Sequence, residues 1–168
     1  MPFPGKVFPG LSFLFTEHQP LTTAMPPVFR RLDHVSIGVN DLAAARRLFV
    51  DVLGGEPLRD IGRNEAENFE WFTFKLGGKK MELVSAMTQG EGGVGRYLAK
   101  HGEGYHHISI SVDNLQEAIA YFNQNGIRVL SPSEADPNWK HCYLHPGDTH
   151  GALIQVFEEN EKTLGHAE

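Results

Sequence analysis

His34 and His107 stand 73 residues apart in this 168-residue chain, and Glu82 and Gln155 are separated by the same interval. Two imidazoles, a carboxylate and an amide oxygen make a donor set suited to one divalent metal ion, Zn, Co, Ni, Mn or Fe, with positions left open for water or substrate. A single histidine in a strand is an ordinary hydrogen-bonded structural residue. Two ligand-type pairs at one spacing instead point to a site built from two equivalent halves.

Whole segments carry the interval. Leu32 to Leu42 reads Leu-Asp-His-Val-Ser-Ile-Gly-Val-Asn-Asp-Leu, and Tyr105 to Leu115 repeats most of it as Tyr-His-His-Ile-Ser-Ile-Ser-Val-Asp-Asn-Leu. The offset also pairs Ala45 with Ala118, Phe49 with Phe122, and Met81-Glu82-Leu83 with Ile154-Gln155-Val156. An offset that persists through successive elements marks a duplicated module. In the first copy, alternation predicts a strand over 31–39, and Asn40 or Asp41 caps a helix over 41–53 with a core stripe of Leu42, Ala45, Leu48, Phe49 and Val52. Strands follow at 56–60, 69–76 and 79–86, with a polar loop at 61–68. The second copy repeats the order: strand 105–112, helix 115–125, and strands 128–131, 140–145 and 152–158. The fold class is therefore α+β, two tandem βαβββ modules forming a curved-sheet cleft. The modules are expected to bury their inner faces against each other, with a pseudo-two-fold bringing His34, His107, Glu82 and Gln155 together.

Length and 40% hydrophobic content fit one domain of two such modules, about 29–87 and 104–158, joined by the glycine-rich linker 88–103 with a short helix over 94–101. Residues 1–28, rich in proline without periodicity, are expected to be an irregular leader, and 159–168 a polar tail. A net charge of −6 gives no electrostatic reason for nucleic acid as a partner, and no apolar run is long enough to cross a membrane. The single Cys142 excludes an internal disulfide, and a cytoplasmic protein acting on a small-molecule substrate is expected. Exposed module edges predict a homodimer.

His34-Val-Ser-Ile with Asp41-Leu and Phe49, Lys80-Met-Glu-Leu, Tyr97-Leu-Ala-Lys, Gly104-Tyr-His-His-Ile, Val112-Asp-Asn-Leu, and Leu144-His-Pro followed by Gly151-Ala-Leu-Ile resemble the vicinal oxygen chelate superfamily, which includes glyoxalases, bleomycin resistance proteins and dioxygenases. Within it they are most similar to the methylmalonyl-CoA epimerase branch, over roughly 31–158. The resemblance implies the vicinal oxygen chelate fold and metal ligands at His34, Glu82, His107 and Gln155. It also implies an isomerase that abstracts a proton alpha to the carbonyl of a small acyl-CoA or 2-oxo substrate, through a metal-stabilised enolate. Gln155 departs from the pattern, since these epimerases place a glutamate there. An amide oxygen can ligate a metal but has no useful basicity near neutral pH. The alternatives are a glyoxalase-type lyase, an Fe(II) extradiol-type dioxygenase and a non-enzymatic ligand-binding or resistance protein.

For the proton transfer itself, Glu82 and, on the preceding strand, Glu70 are the candidate bases. Lys140, His145 and His150 are candidate substrate-binding residues, the histidines because they flank the Pro-Gly-Asp-Thr turn. His106 is expected to point away from the site by strand alternation. Trp71, Phe72, Phe74 and Trp139 are candidate walls of the cleft.

Overall fold

The computed structural model describes residues 25–160, so the expectations for 1–24 and 161–168 lie outside the described residues. Strand β1 (Phe29–Gly38) leads into α1 (Leu42–Arg46) and a π-helical turn (Arg47–Val52). Strands β2 (Glu56–Pro57), β3 (Gly62–Asn64), β4 (Phe69–Leu76) and β5 (Lys79–Ala86) complete the first half. Helix α2 (Gly92–His101) crosses to β6 (Gly104–Val112), α3 (Leu115–Gln124), β7 (Val129–Ser133), β8 (His141–Leu144) and β9 (Ile154–Glu158). The nine strands form a single sheet in the order β2-β4-β5-β1-β6-β9-β8-β7, with β3 alongside β4.

This is the expected α+β duplication with its curved-sheet cleft, but the halves meet differently. They do not bury their inner faces against each other: β1 and β6 pair antiparallel, edge to edge, and merge the two small sheets into one. The physical reason is the strand edge. Each half alone would leave its first strand with a row of unpaired backbone N–H and C=O groups, and mutual pairing satisfies both rows.

The outer face of the sheet is apolar and carries α1 and α3. Asp41 caps α1 by accepting a hydrogen bond from Ala44 N at 2.8 Å, and Asn114 caps α3 by accepting from Glu117 N at 3.1 Å. Leu42 of α1 clusters with Val39, Phe72, Phe74 and Leu83; Leu115, Ala118 and Phe122 of α3 cluster with Val112, Cys142, Leu144 and Val156. Burial of a side chain the size of Phe74 or Phe72 stabilises the fold by about 1.5–3 kcal/mol. Among the described residues, α2 covers one end of the inner face, where Val94 and Leu98 pack on Val84.

Two further expectations change. The first helix widens after Arg46, as Leu53 N donates to Leu48 O, five residues back. That wider turn rotates the stripe: Leu42, Ala45, Phe49 and Val50 face the core, while Leu48 and Val52 are exposed. In the expected loop 61–68, Gly62–Asn64 forms β3, and Gly62 is required there by Trp71, because a Cβ on Gly62 would lie 2.3 Å from the indole.

Cys142 has no exposed surface, and burial pushes its thiol pKa up to about 12. Native protein at pH 8 is therefore expected to resist a chromogenic disulfide reagent, with one thiol per chain appearing on unfolding in guanidinium. Complete labelling of native protein within minutes would contradict this placement.

Candidate metal centre

The site stands on the inner face at the seam of β1 and β6, and the register explains how a duplicated sequence builds it. In the parallel pair β1–β5, Ser36 lies beside Glu82; in the parallel pair β6–β9, Ser109 lies beside Gln155. Across the seam His34 faces Ser109 and Ser36 faces His107. A pseudo-two-fold through the seam therefore exchanges His34 with His107, Ser36 with Ser109 and Glu82 with Gln155. The seam is interrupted by three register shifts, two of which leave Asp33 as the extra residue of β1 and His106 as the extra residue of β6. At such β-bulges consecutive side chains escape strict alternation, so each of these residues can reach the histidine that follows it.

That contact defines the histidines. His34 Nδ1 lies 2.7 Å from Asp33 Oδ2, and His107 Nδ1 lies 2.8 Å from His106 Nδ1. Both rings are thereby oriented with Nε2 inward, and both Nε2 atoms are buried without a hydrogen-bond partner among the described residues. Leaving two such groups unpaired costs about 1–3 kcal/mol each. They converge on Glu82 Oε1, at 3.6 Å from His34 and 3.9 Å from His107, and the three ligand-type atoms lie within 4.8 Å of one another. Orphaned ring nitrogens beside a carboxylate suit a divalent cation. Glu82 and Gln155 are held from below: Ser36 Oγ donates to Glu82 Oε1 at 2.9 Å, and Ser109 Oγ donates to Gln155 Oε1 at 2.8 Å. The Gln155 amide Nε2 donates to Tyr143 Oη at 3.0 Å.

The electrostatics are unequal on the two sides. Burial disfavours a charge on His34, but Glu82 and Asp33 outweigh it and raise its pKa to about 9. On His107 burial wins and lowers the pKa to about 3, with Glu82 and the neighbouring Gln155 side chain opposing. Burial likewise takes His106 down to about 4. For Glu82 burial is outweighed by His34, then by His107 and Ser36, and its pKa falls to about 2. Asp33, despite burial, is held well below the usual carboxylate range by His34 and by Lys80, whose Nζ donates to it at 2.8 Å.

Thus the structure brings His34, Glu82 and His107 together, with Gln155 on the adjoining strand. It does not bring Glu70: β4–β5 pairing puts Thr73 opposite Glu82, so Glu70 lies on the outer face, where it pairs with Arg63 at 3.3 Å. Phe72 and Phe74 share that face and are core, not cleft wall. Lys140 also faces outward, its Nζ donating at 2.9 Å to Glu158, which caps Leu115 N of α3. His145 is occupied in its own turn, where its Nδ1 accepts from Gly147 N at 2.9 Å, and His150 stands exposed at the turn. His106 does not point away from the site, because the bulge turns it onto His107. Asp33, Ser36, Ser109 and Tyr143 adjoin these side chains, and composition alone does not single them out. The two serines do obey the 73-residue interval. Tyr143 has no such signal, since it lies opposite Gln155 only after a longer hairpin than the one that sets Thr73 opposite Glu82.

Residues 33–143 match the model of the Glyoxalase/Bleomycin resistance protein/Dioxygenase superfamily. The mitochondrial methylmalonyl-CoA epimerase of Bos taurus is 32% identical over 128 residues, which is 75% of this chain and 73% of that one. The ethylmalonyl-CoA/methylmalonyl-CoA epimerase of Cereibacter sphaeroides is 30% identical over 132 residues, covering 75% and 96%. Among solved structures, a Streptomyces coelicolor methylmalonyl-CoA epimerase variant in complex with 2-nitronate-propionyl-CoA superposes with a TM-score of 0.69 at 27% identity, over 79% of this chain and 99% of that one. The chain belongs to the Glyoxalase/Bleomycin resistance protein/Dioxygenase superfamily, among whose members it resembles the methylmalonyl-CoA epimerases.

Proposed function

We propose that this protein epimerises a methylmalonyl-CoA-like thioester by moving the proton on the carbon alpha to the carbonyl, with one divalent ion held by His34, Glu82, His107 and Gln155. The observation that carries the reading is the pair of buried, partnerless Nε2 atoms converging on Glu82 Oε1, in a chain similar to named epimerases. When bound, the ion would supply positive charge to substrate oxygens as the carbon is deprotonated. Three neutral ligands and one carboxylate would leave that charge only partly neutralised.

Glu82 is the one carboxylate of the set, and its depressed pKa keeps it ionised at neutral pH. Its Oε1 is turned to both histidines and Ser36, which leaves Oε2 to take the alpha proton. In that step the C–H bond breaks, an O–H bond forms on Glu82, and the electron pair moves into the thioester carbonyl. On the opposite side of the pseudo-two-fold the Gln155 amide is neither a useful acid nor a useful base, so this chain is asymmetric between the two faces of a substrate.

Metal-loaded protein in deuterium oxide should therefore wash deuterium into the alpha carbon of methylmalonyl-CoA faster than it inverts that carbon. Gln155→Glu should raise inversion about 10-fold or more. A loaded sample that shows no exchange would remove the proton-transfer reading. Chelator competition should find one divalent ion bound per chain, and Asp33→Asn should weaken that affinity about 10- to 100-fold by withdrawing the carboxylate that orients His34. Unchanged affinity in Asp33→Asn would mean that the ion does not use His34.

A further inference from the structure

We propose that Tyr143 donates a hydrogen bond to an anionic oxygen of the substrate, and that the amide at Gln155 is what turns its hydroxyl to that task. The inference rests on the proposed metal centre and sharpens its substrate side. An amide has two unlike ends, a carbonyl that only accepts and an NH2 that only donates. Beside a cation only the carbonyl end is favourable, and the Gln155 amide is turned accordingly, with Oε1 taking the Ser109 hydroxyl hydrogen.

The NH2 end is then forced toward Tyr143, which faces Gln155 across the β8–β9 pair on the inner side of the sheet. Tyr143 Oη accepts from Nε2 at 3.0 Å, so its own hydrogen must be given elsewhere. Among the described residues no acceptor takes it. The phenol ring is fixed edge-on to His107, with centroids 6.1 Å apart at 88°, and edge-on to His141 at 5.7 Å and 83°. Tyr143 is half-buried on the inner side of the sheet. The polarity thus runs in one direction: cation site, carbonyl, amide NH2, phenol oxygen, and finally a donor aimed at whatever oxygen lies next to the centre. A glutamate at position 155 would reverse the last link, because a carboxylate would accept the tyrosine hydrogen and keep it from substrate.

The test uses the Co(II)-loaded full-length protein and two ligands that cannot be epimerised, oxalate, followed by the cobalt visible spectrum, and malonyl-CoA, followed by calorimetry. Tyr143→Phe should weaken both about 10-fold or more, as expected for loss of a hydrogen bond to a charged group, with the spectrum and Tm of the unliganded protein unchanged. In the Gln155→Glu background the same substitution should change either affinity less than twofold. Equal binding by wild type and Tyr143→Phe, or an equal loss in both backgrounds, overturns the proposal. If wild type binds oxalate with the Tyr143 dependence but ignores malonyl-CoA, the donor role stands and the thioester reading falls. If cobalt does not bind, both fall. Propionyl-CoA separates the oxygens: a loss confined to malonyl-CoA assigns the bond to the carboxylate, and a loss for both thioesters assigns it to the carbonyl oxygen.

Discussion

Everything distinctive about this protein depends on the antiparallel pairing of β1 with β6. Among the described residues it is the only hydrogen-bonded seam between the two halves of the sheet, and both histidines stand on it. Each half supplies a strand edge that would otherwise be unsatisfied, so the backbone bonds that unite the halves also bring the two imidazoles together edge-on, with ring centroids 5.5 Å apart. The bulges at Asp33 and His106 are symmetric interruptions of that seam. They loosen strict alternation at the two places where a second side chain is needed behind a histidine.

On this symmetric frame the chemistry is asymmetric. His34 leans on a carboxylate that is itself bound by Lys80 and Arg31, and it sits between two negative charges. His107 leans on another imidazole and is driven toward neutrality by burial. Glu82 and Gln155 extend the contrast to the next strands. One half therefore carries the charge and the basicity, while the other carries neutral donors and acceptors and the Tyr143 hydroxyl. Duplication produced two equivalent positions, and substitution gave them different work.

Much of this was legible in the order of residues. The 73-residue interval located both modules, and the ligand-type pairs followed from it, because a duplicated strand carries its inward residues to equivalent places. The fold class followed from periodicity and from the capping residues Asp41 and Asn114. What could not be read was register. Glu70 and Lys140 are polar residues on strands next to the site, but a shift of one residue moves a side chain to the other face, and only the observed pairings of Thr73 with Glu82 and of His141 with Phe157 decide the matter. His106 was misplaced for the converse reason, since a bulge suspends the alternation on which the inference relied. The widened turn after Arg46 is equally silent, because the residues Arg47–Val52 are ordinary helix formers. Edge-to-edge joining, too, lies beyond periodicity, which shows which face is apolar but not which strand edges meet.

The seam has a consequence for how the molecule comes into being. Its partners are more than 60 residues apart along the chain, so closing it costs loop entropy that local hairpins such as β4–β5 do not incur. The hairpins and capped helices can gather early, each holding half of the polar set, one histidine with Glu82 or one histidine with Gln155. Neither half is a binding site. Only with that long-range edge closed do the two orphaned nitrogens face one point, so the centre is complete only where the sheet is, and a chain arrested short of it would present two sticky strand edges and no chemistry.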